Sequence, residues 1–228
     1  MSNTSKKHRN KKIWQVVIAL LVIILVGSFI ISRKDKTVDT ASFANVETFA
    51  DAAHEKGNVE SEIRLIEYSD LQCPACKAAV PVVNSLVDAM GDQFVLEYRH
   101  FPLVQIHPNA TLAAQAAEAA AVQGKFWEMH DMLFDKQSEW SQSFNPEKFF
   151  RDYAVAIGIN EDRFRFDLES DEIKERVRSD ADEAAALQLP GTPGFVYNGE
   201  QIDIQTFSTE ILDPTQIVPA EESDEVEA

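Results

Sequence analysis

Cysteine is nearly absent: 228 residues contain two, Cys73 and Cys76. That scarcity excludes a framework of disulfide staples, so a stable domain here must rest on its packed core. Histidine is also scarce, five in all. None shows the paired spacing of zinc ligands, and no second cysteine pair exists to complete a four-ligand site. Neither a metal nor another cofactor is expected. Basic residues are outnumbered, 21 Lys and Arg against 38 Asp and Glu, for a formal charge of −17. Nucleic acid is thereby excluded as a partner, because its phosphates call for Lys and Arg. The acidity says little about substrate, since a solvated acidic surface is its commonest meaning. Internal repeats are lacking as well.

Long apolar runs are limited to one. Ile13 to Ile31 spans 19 residues without a charge, interrupted only by Gln15, Gly27 and Ser28. At ~1.5 Å per residue, a helix of that length crosses a bilayer. Trp14 suits the membrane interface, and Lys6, Lys7, Arg9, Lys11 and Lys12 hold the amino terminus in the cytoplasm. Arg33, Lys34 and Lys36 weaken that asymmetry without reversing it. The competing reading is a cleaved signal peptide. Its apolar region would be shorter, and Ala41-Ser-Phe-Ala44 is a poor, distant cleavage site. A retained single-pass anchor is therefore expected, with the rest of the chain outside the cytoplasm. No cysteine lies just after the run, which excludes a lipid-modified anchor.

The charge divides with the topology. Residues 1–36 carry +7, leaving −24 on the remainder. Residues 1–12 read as a basic cytoplasmic segment, 13–31 as the anchor, and 32–58 as linker with a short helix near Val46–His54. Residues 59–212 read as one domain, and 213–228 as an acidic disordered tail.

Within the domain, 63–68 reads as a strand and 77–90 as a helix with Pro81 inside it. A second strand at 94–100 would then lie parallel to the first. About 80 residues follow with no strand signal. Helices are expected at 109–122, 125–134, 145–157, 161–168 and 171–187, with Ser138–Ser143 as polar loop. Gly194–Tyr197 and Gln201–Ile204 read as a hairpin turning at Asn198-Gly199.

The two cysteines sit at the junction between the first strand and its helix, as Cys73-Pro-Ala-Cys76. A pair three residues apart is of little use as a staple, so its value is chemical. At a helix amino terminus, unpaired N–H groups and the positive end of the macrodipole favour a thiolate. Cys73 is therefore the expected nucleophile and Cys76, one turn in, the resolving thiol. Pro74 suits the first helical position because it has no N–H to leave unpaired.

In this order, a set of motifs makes a family recognisable. They are Glu67, Cys73-Pro-Ala-Cys76, Arg99-His-Phe-Pro102, His107-Pro-Asn-Ala110, Gly124-Lys-Phe-Trp-Glu-Met-His130 and Gly191-Thr-Pro-Gly-Phe195. Over about residues 60–210 the chain resembles the DsbA-like thioredoxin-fold disulfide oxidoreductases. The resemblance implies an α/β thioredoxin fold, a central mixed sheet flanked by helices. It also implies an inserted helical subdomain at about 108–189. The activity implied is disulfide exchange with exported proteins, most readily as an oxidase, with a membrane redox partner. A reductase or isomerase on the same fold, and a tethered binding module with a vestigial dithiol, are the alternatives.

Individual roles follow from the same resemblance. Thr192-Pro193 matches the family's cis-proline turn, with Pro193 against the dithiol and the Thr192 backbone pairing with substrate. Pro74 and Ala75 are expected on the substrate-facing side. Glu67 matches a buried family carboxyl that exchanges a proton with Cys76. Ala75 departs from the best-known members, which carry histidine there. With no side chain to hold the thiolate, a milder oxidant is expected, and the direction of electron flow stays open. His100 and His107 read as structural, Asp70 as a turn residue, and Phe126, Trp127, Met129, Leu133 and Phe134 as insertion core. The final helix, Thr206–Leu212, looks too short to cover the sheet.

Overall fold

The computed structural model describes residues 54–212. The anchor 13–31, the segments 1–12 and 32–53, and the tail 213–228 lie outside the described residues. Among the described residues no helix is long and apolar enough to cross a membrane.

Five strands form one mixed sheet in the order β1-β3-β2-β4-β5. They are β1 (His54–Gly57), β2 (Arg64–Ser69), β3 (Val95–His100), β4 (Gly194–Tyr197) and β5 (Glu200–Ile202). β2 and β3 run parallel, joined by α1 (Pro74–Met90); the other pairs are antiparallel. Both central strands are buried almost throughout, as expected of strands covered on two faces. The hairpin turn has φ 51° at Asn198 and 78° at Gly199, the double left-handed geometry that an Asn-Gly pair supplies.

Two expectations need correction. Residues 54–57 form strand β1, where linker and a short helix were expected; His54 pairs opposite Tyr98. The sequence His-Glu-Lys-Gly has no β-branched residue and no alternation, so the strand is imposed by the open edge of β3. Within 138–143, the expected loop, Gln137–Trp140 makes a helical turn, α4. Its anchor is Trp140, fully buried, whose Nε1 donates to the Leu133 carbonyl at 2.9 Å.

The other helices of the block are α2 (Ala110–Ala121), α3 (Phe126–Asp135), α5 (Pro146–Ala156), α6 (Glu161–Leu168) and α7 (Asp171–Ala186). Seven alanines of α2 are buried, and their small side chains let neighbouring helices approach closely. Met129, Leu133, Phe150 and Phe164 fill the space around them. Asn160 and Ser170 cap α6 and α7 through their side chains. Asn145 precedes Pro146 at the start of α5 but makes no side-chain cap. After β5 comes one helical turn, Ile204–Thr206, continuing as a π-helical turn Phe207–Ile211. It is as short as the sequence implies, yet Phe207 is fully buried, with its ring 5.5 Å from that of Phe94.

Candidate active site

Cys73 is the N-cap residue of α1, with extended backbone (φ −73°, ψ 123°), and Pro74 opens the helix. The turn is closed by Cys73 N–H donating to the Asp70 carbonyl at 2.9 Å. The two cysteines are free thiols. Cys73 retains 7% exposure and Cys76 none, while Pro74 and Ala75 are exposed beside Cys73. The Thr192-Pro193 peptide is cis, and the Thr192 carbonyl lies 3.6 Å from Cys73 Sγ. Cys76 Sγ accepts from the Asp70 N–H at 3.5 Å.

The two thiols are driven apart electrostatically. Cys73 is pulled down to about 5, chiefly by the hydrogen bond from the Cys76 thiol, with help from the Cys76 and Ala75 backbone N–H groups. Burial opposes this and loses. Cys76 moves strongly upward, because it donates to Cys73 and is itself buried. Ala75 thus contributes to the thiolate through its backbone N–H, which any residue but proline supplies at that position.

Glu67 lies on β2, buried at 5% exposure. Burial pushes its carboxyl up to about 7, against the smaller pull of the Ser69 hydroxyl and the Lys56 ammonium. A carboxyl balanced near neutrality is suited to proton exchange. Ser69 is two residues on, so strand alternation puts it on the same face as Glu67.

Several residues that organise the site carry no strong sequence signal. Gln137 Nε2 donates to the Leu71 and Cys73 carbonyls at 2.9 and 3.1 Å, tying the inserted block to the cysteine turn. Gln72 reaches the Ser141 carbonyl and accepts from Asn109 N–H, both at 2.7 Å. Asp70 is more than a turn residue. Its carboxylate accepts from Gln72 and Leu103 N–H and pairs with His107 Nδ1 at 2.7 Å. The His107-Pro-Asn-Ala110 motif was the only hint of that contact.

A second polar cluster stands on the β1 side. His54 Nε2 and His100 Nε2 both reach Glu118 Oε1, at 2.7 and 3.1 Å. Among the described residues this is the one grouping with metal-type donors. Arg176 Nε holds the other Glu118 oxygen at 2.7 Å, so the buried carboxylate already has a cationic partner. The cluster borders a cavity of about 800 Å³ that none of the dithiol residues lines.

The family model described as thioredoxin matches residues 50–212. The chain belongs to that family. A thioredoxin-like oxidoreductase from Silicibacter pomeroyi superposes with a TM-score of 0.57 at 29% identity, covering 67% of this chain and 83% of that one. The thiol-disulfide exchange protein alpha-DsbA2 from Wolbachia pipientis gives 0.61 at 20% identity, over 72% and 87%. BdbD from Bacillus subtilis gives 0.58 at 21%, over 67% and 84%. The fold is that of the DsbA-type thiol-disulfide oxidoreductases. Among curated proteins, the sodium/proton antiporter NhaA 1 of Mycolicibacterium vanbaalenii is 40% identical over 153 residues, 65% of this chain and 24% of the antiporter. NhaA 3 of Salinispora tropica is 41% identical over 152 residues, 66% of this chain and 22% of that protein. The chain spans about a quarter of the length of these relatives.

Proposed function

We propose that this protein is a membrane-anchored thiol-disulfide oxidoreductase, exchanging disulfides with exported proteins outside the cytoplasm. Its working direction is oxidation. The reading rests on the asymmetry of the dithiol: one thiol at a helix amino terminus, drawn down to about 5, above a buried partner driven the other way. Cys73 is the nucleophile and Cys76 resolves the mixed disulfide. Substrate meets Cys73 across Thr192, Pro74 and Ala75, with Pro193 holding the turn in place. Glu67 exchanges the Cys76 proton. The run 13–31 is the anchor, and a membrane redox partner regenerates the dithiol's working form.

A low Cys73 pKa stabilises the reduced form, which makes the disulfide form an oxidant. Ala75 favours a second reading, a reductase or isomerase, because it removes the side-chain donor that would deepen the effect. The reduction potential separates them: near about −120 mV for an oxidase and near about −270 mV for a reductase. A potential at the low end refutes the oxidising direction. The Cys76→Ala chain, expressed in its own membrane, is expected to accumulate exported proteins disulfide-linked to Cys73. If nothing is captured and Cys73→Ala leaves function intact, the dithiol is vestigial and the protein is a tethered binding module.

A further inference from the structure

We propose that the Ser69 hydroxyl carries the proton between Cys76 and Glu67, with Tyr98 as its positioning residue. The inference rests on the reading above, in which the dithiol is redox-active and Glu67 exchanges a proton with it.

Ser69 ends β2, pairs opposite His100 on β3, and is 1% exposed. Strand alternation puts it on the Glu67 face of β2, and the next backbone N–H, that of Asp70, reaches Cys76 Sγ at 3.5 Å. The Ser69 hydroxyl also favours the charged forms of Glu67, of Cys76 and of Tyr98. Yet neither Ser69 Oγ nor Tyr98 Oη completes a hydrogen bond of standard geometry. A buried hydroxyl kept out of a fixed bond is costly, so a polar atom in that state calls for an explanation. A hydroxyl that must rotate between two partners supplies one, because a committed hydroxyl would not relay. Serine both donates and accepts through one oxygen, as a relay requires. Tyr98 is fully buried and opposite Glu67 in the strand register, so its hydroxyl-bearing ring packs beside the same stretch of β2.

The chemistry balances in both directions. In resolution, Cys76 Sγ gives its proton to Ser69 Oγ as the Ser69 hydroxyl proton passes to a Glu67 carboxylate oxygen. The Cys76 sulfur then attacks Cys73 Sγ of the mixed disulfide. The Cys73–Cys76 bond forms, and the substrate sulfur leaves with the electron pair as a thiolate. The two enzyme thiols are oxidised and the substrate disulfide is reduced. In the oxidising direction a substrate thiolate attacks Cys73 Sγ and Cys76 leaves as a thiolate. Protonated Glu67 returns the proton by the same path, and Ser69 emerges unchanged. Glu67 borders a cavity of about 10 Å³ shared with Asn84 and His130, and Asn84 Oδ1 accepts from Lys56 Nζ at 3.2 Å.

The test is single-turnover exchange by the 228-residue chain, separating attack on Cys73 from the Cys76 step, in light and heavy water. Ser69→Ala is expected to slow the Cys76 step by roughly ten- to a hundredfold, within the range of lost proton-transfer catalysis. Its solvent isotope effect changes too, while Cys73 alkylation keeps its rate. Ser69→Thr, which keeps the hydroxyl, restores most of the loss and serves as the folding control. If Ser69→Ala resolves at the wild-type rate while Glu67→Gln is slow, the relay is wrong and the role of Glu67 stands. If both variants match wild type, the role of Glu67 falls with it. A Ser69→Ala defect that Ser69→Thr shares in full also overturns the relay, since packing would then explain it.

Discussion

Replacing Glu67 with Gln tests the burial argument directly. The carboxyl has an ordinary value of 4.5 and is held at about 7 in the fold. The folded chain therefore keeps this proton through a pH window in which the unfolded chain has released it. Stability falls as pH rises from 4.5 to about 7, then levels off. At about 1.36 kcal/mol per pH unit, the full loss is roughly 3 kcal/mol. Glutamine has nearly the same shape and no charge to bury, so Glu67→Gln escapes that loss. At pH 8 the variant is expected to be more stable than the parent by about 3 kcal/mol, and at pH 4 nearly equal to it. For a domain of this size the gain raises Tm by roughly 6–12 °C. The assay is thermal unfolding of the fully reduced chain at several pH values. The quantity to plot is the difference between variant and parent. That subtraction matters because burial lowers His54 and His130 below the ordinary imidazole value, which makes stability rise with pH over part of the same range. A difference that stays flat from pH 4 to pH 8 refutes the account of Glu67 as a buried, neutral-range acid.

Two further outcomes follow from the same geometry. Alkylation of Cys73 in the reduced chain should titrate with a midpoint near pH 5, and Cys76→Ala should raise that midpoint, because the Cys76 thiol is the largest stabiliser of the thiolate; an unmoved midpoint would assign the effect to the helix terminus alone. Glu118→Ala removes the shared acceptor of two buried imidazoles, and should cost roughly 1–3 kcal/mol by urea unfolding; an unchanged urea midpoint would show that the cluster contributes little.

Much of the site was legible because its chemistry is local. The helix that follows Cys73 puts one thiol at its terminus and the other one turn in, and helix termini are readable from neighbouring residues. Glu67 stood out only through the family resemblance, because a strand-end carboxyl by itself reads equally well as facing water; packing decided its burial. Strand β1 was not legible, because His-Glu-Lys-Gly becomes a strand only when the edge of β3 is available to pair with it. The turn at Gln137–Trp140 was hidden for a similar reason: polar residues around a single tryptophan look like loop until the core that receives Trp140 exists.

The sequence by itself determined the dithiol, the parallel β2-α1-β3 unit, the helical block and the closing hairpin, because each is written in residues close together along the chain. Tertiary structure decided what those parts mean for one another. It set the Thr192 carbonyl 3.6 Å from a sulfur 119 residues away in sequence. It fastened the inserted block to the cysteine turn through Gln137. It also buried Glu67, Ser69, Tyr98 and Cys76, each away from water. Desolvation is the reason these matter. A carboxyl or a thiol departs from its ordinary value only when water is removed and particular partners take its place, and that depends on packing across the whole fold.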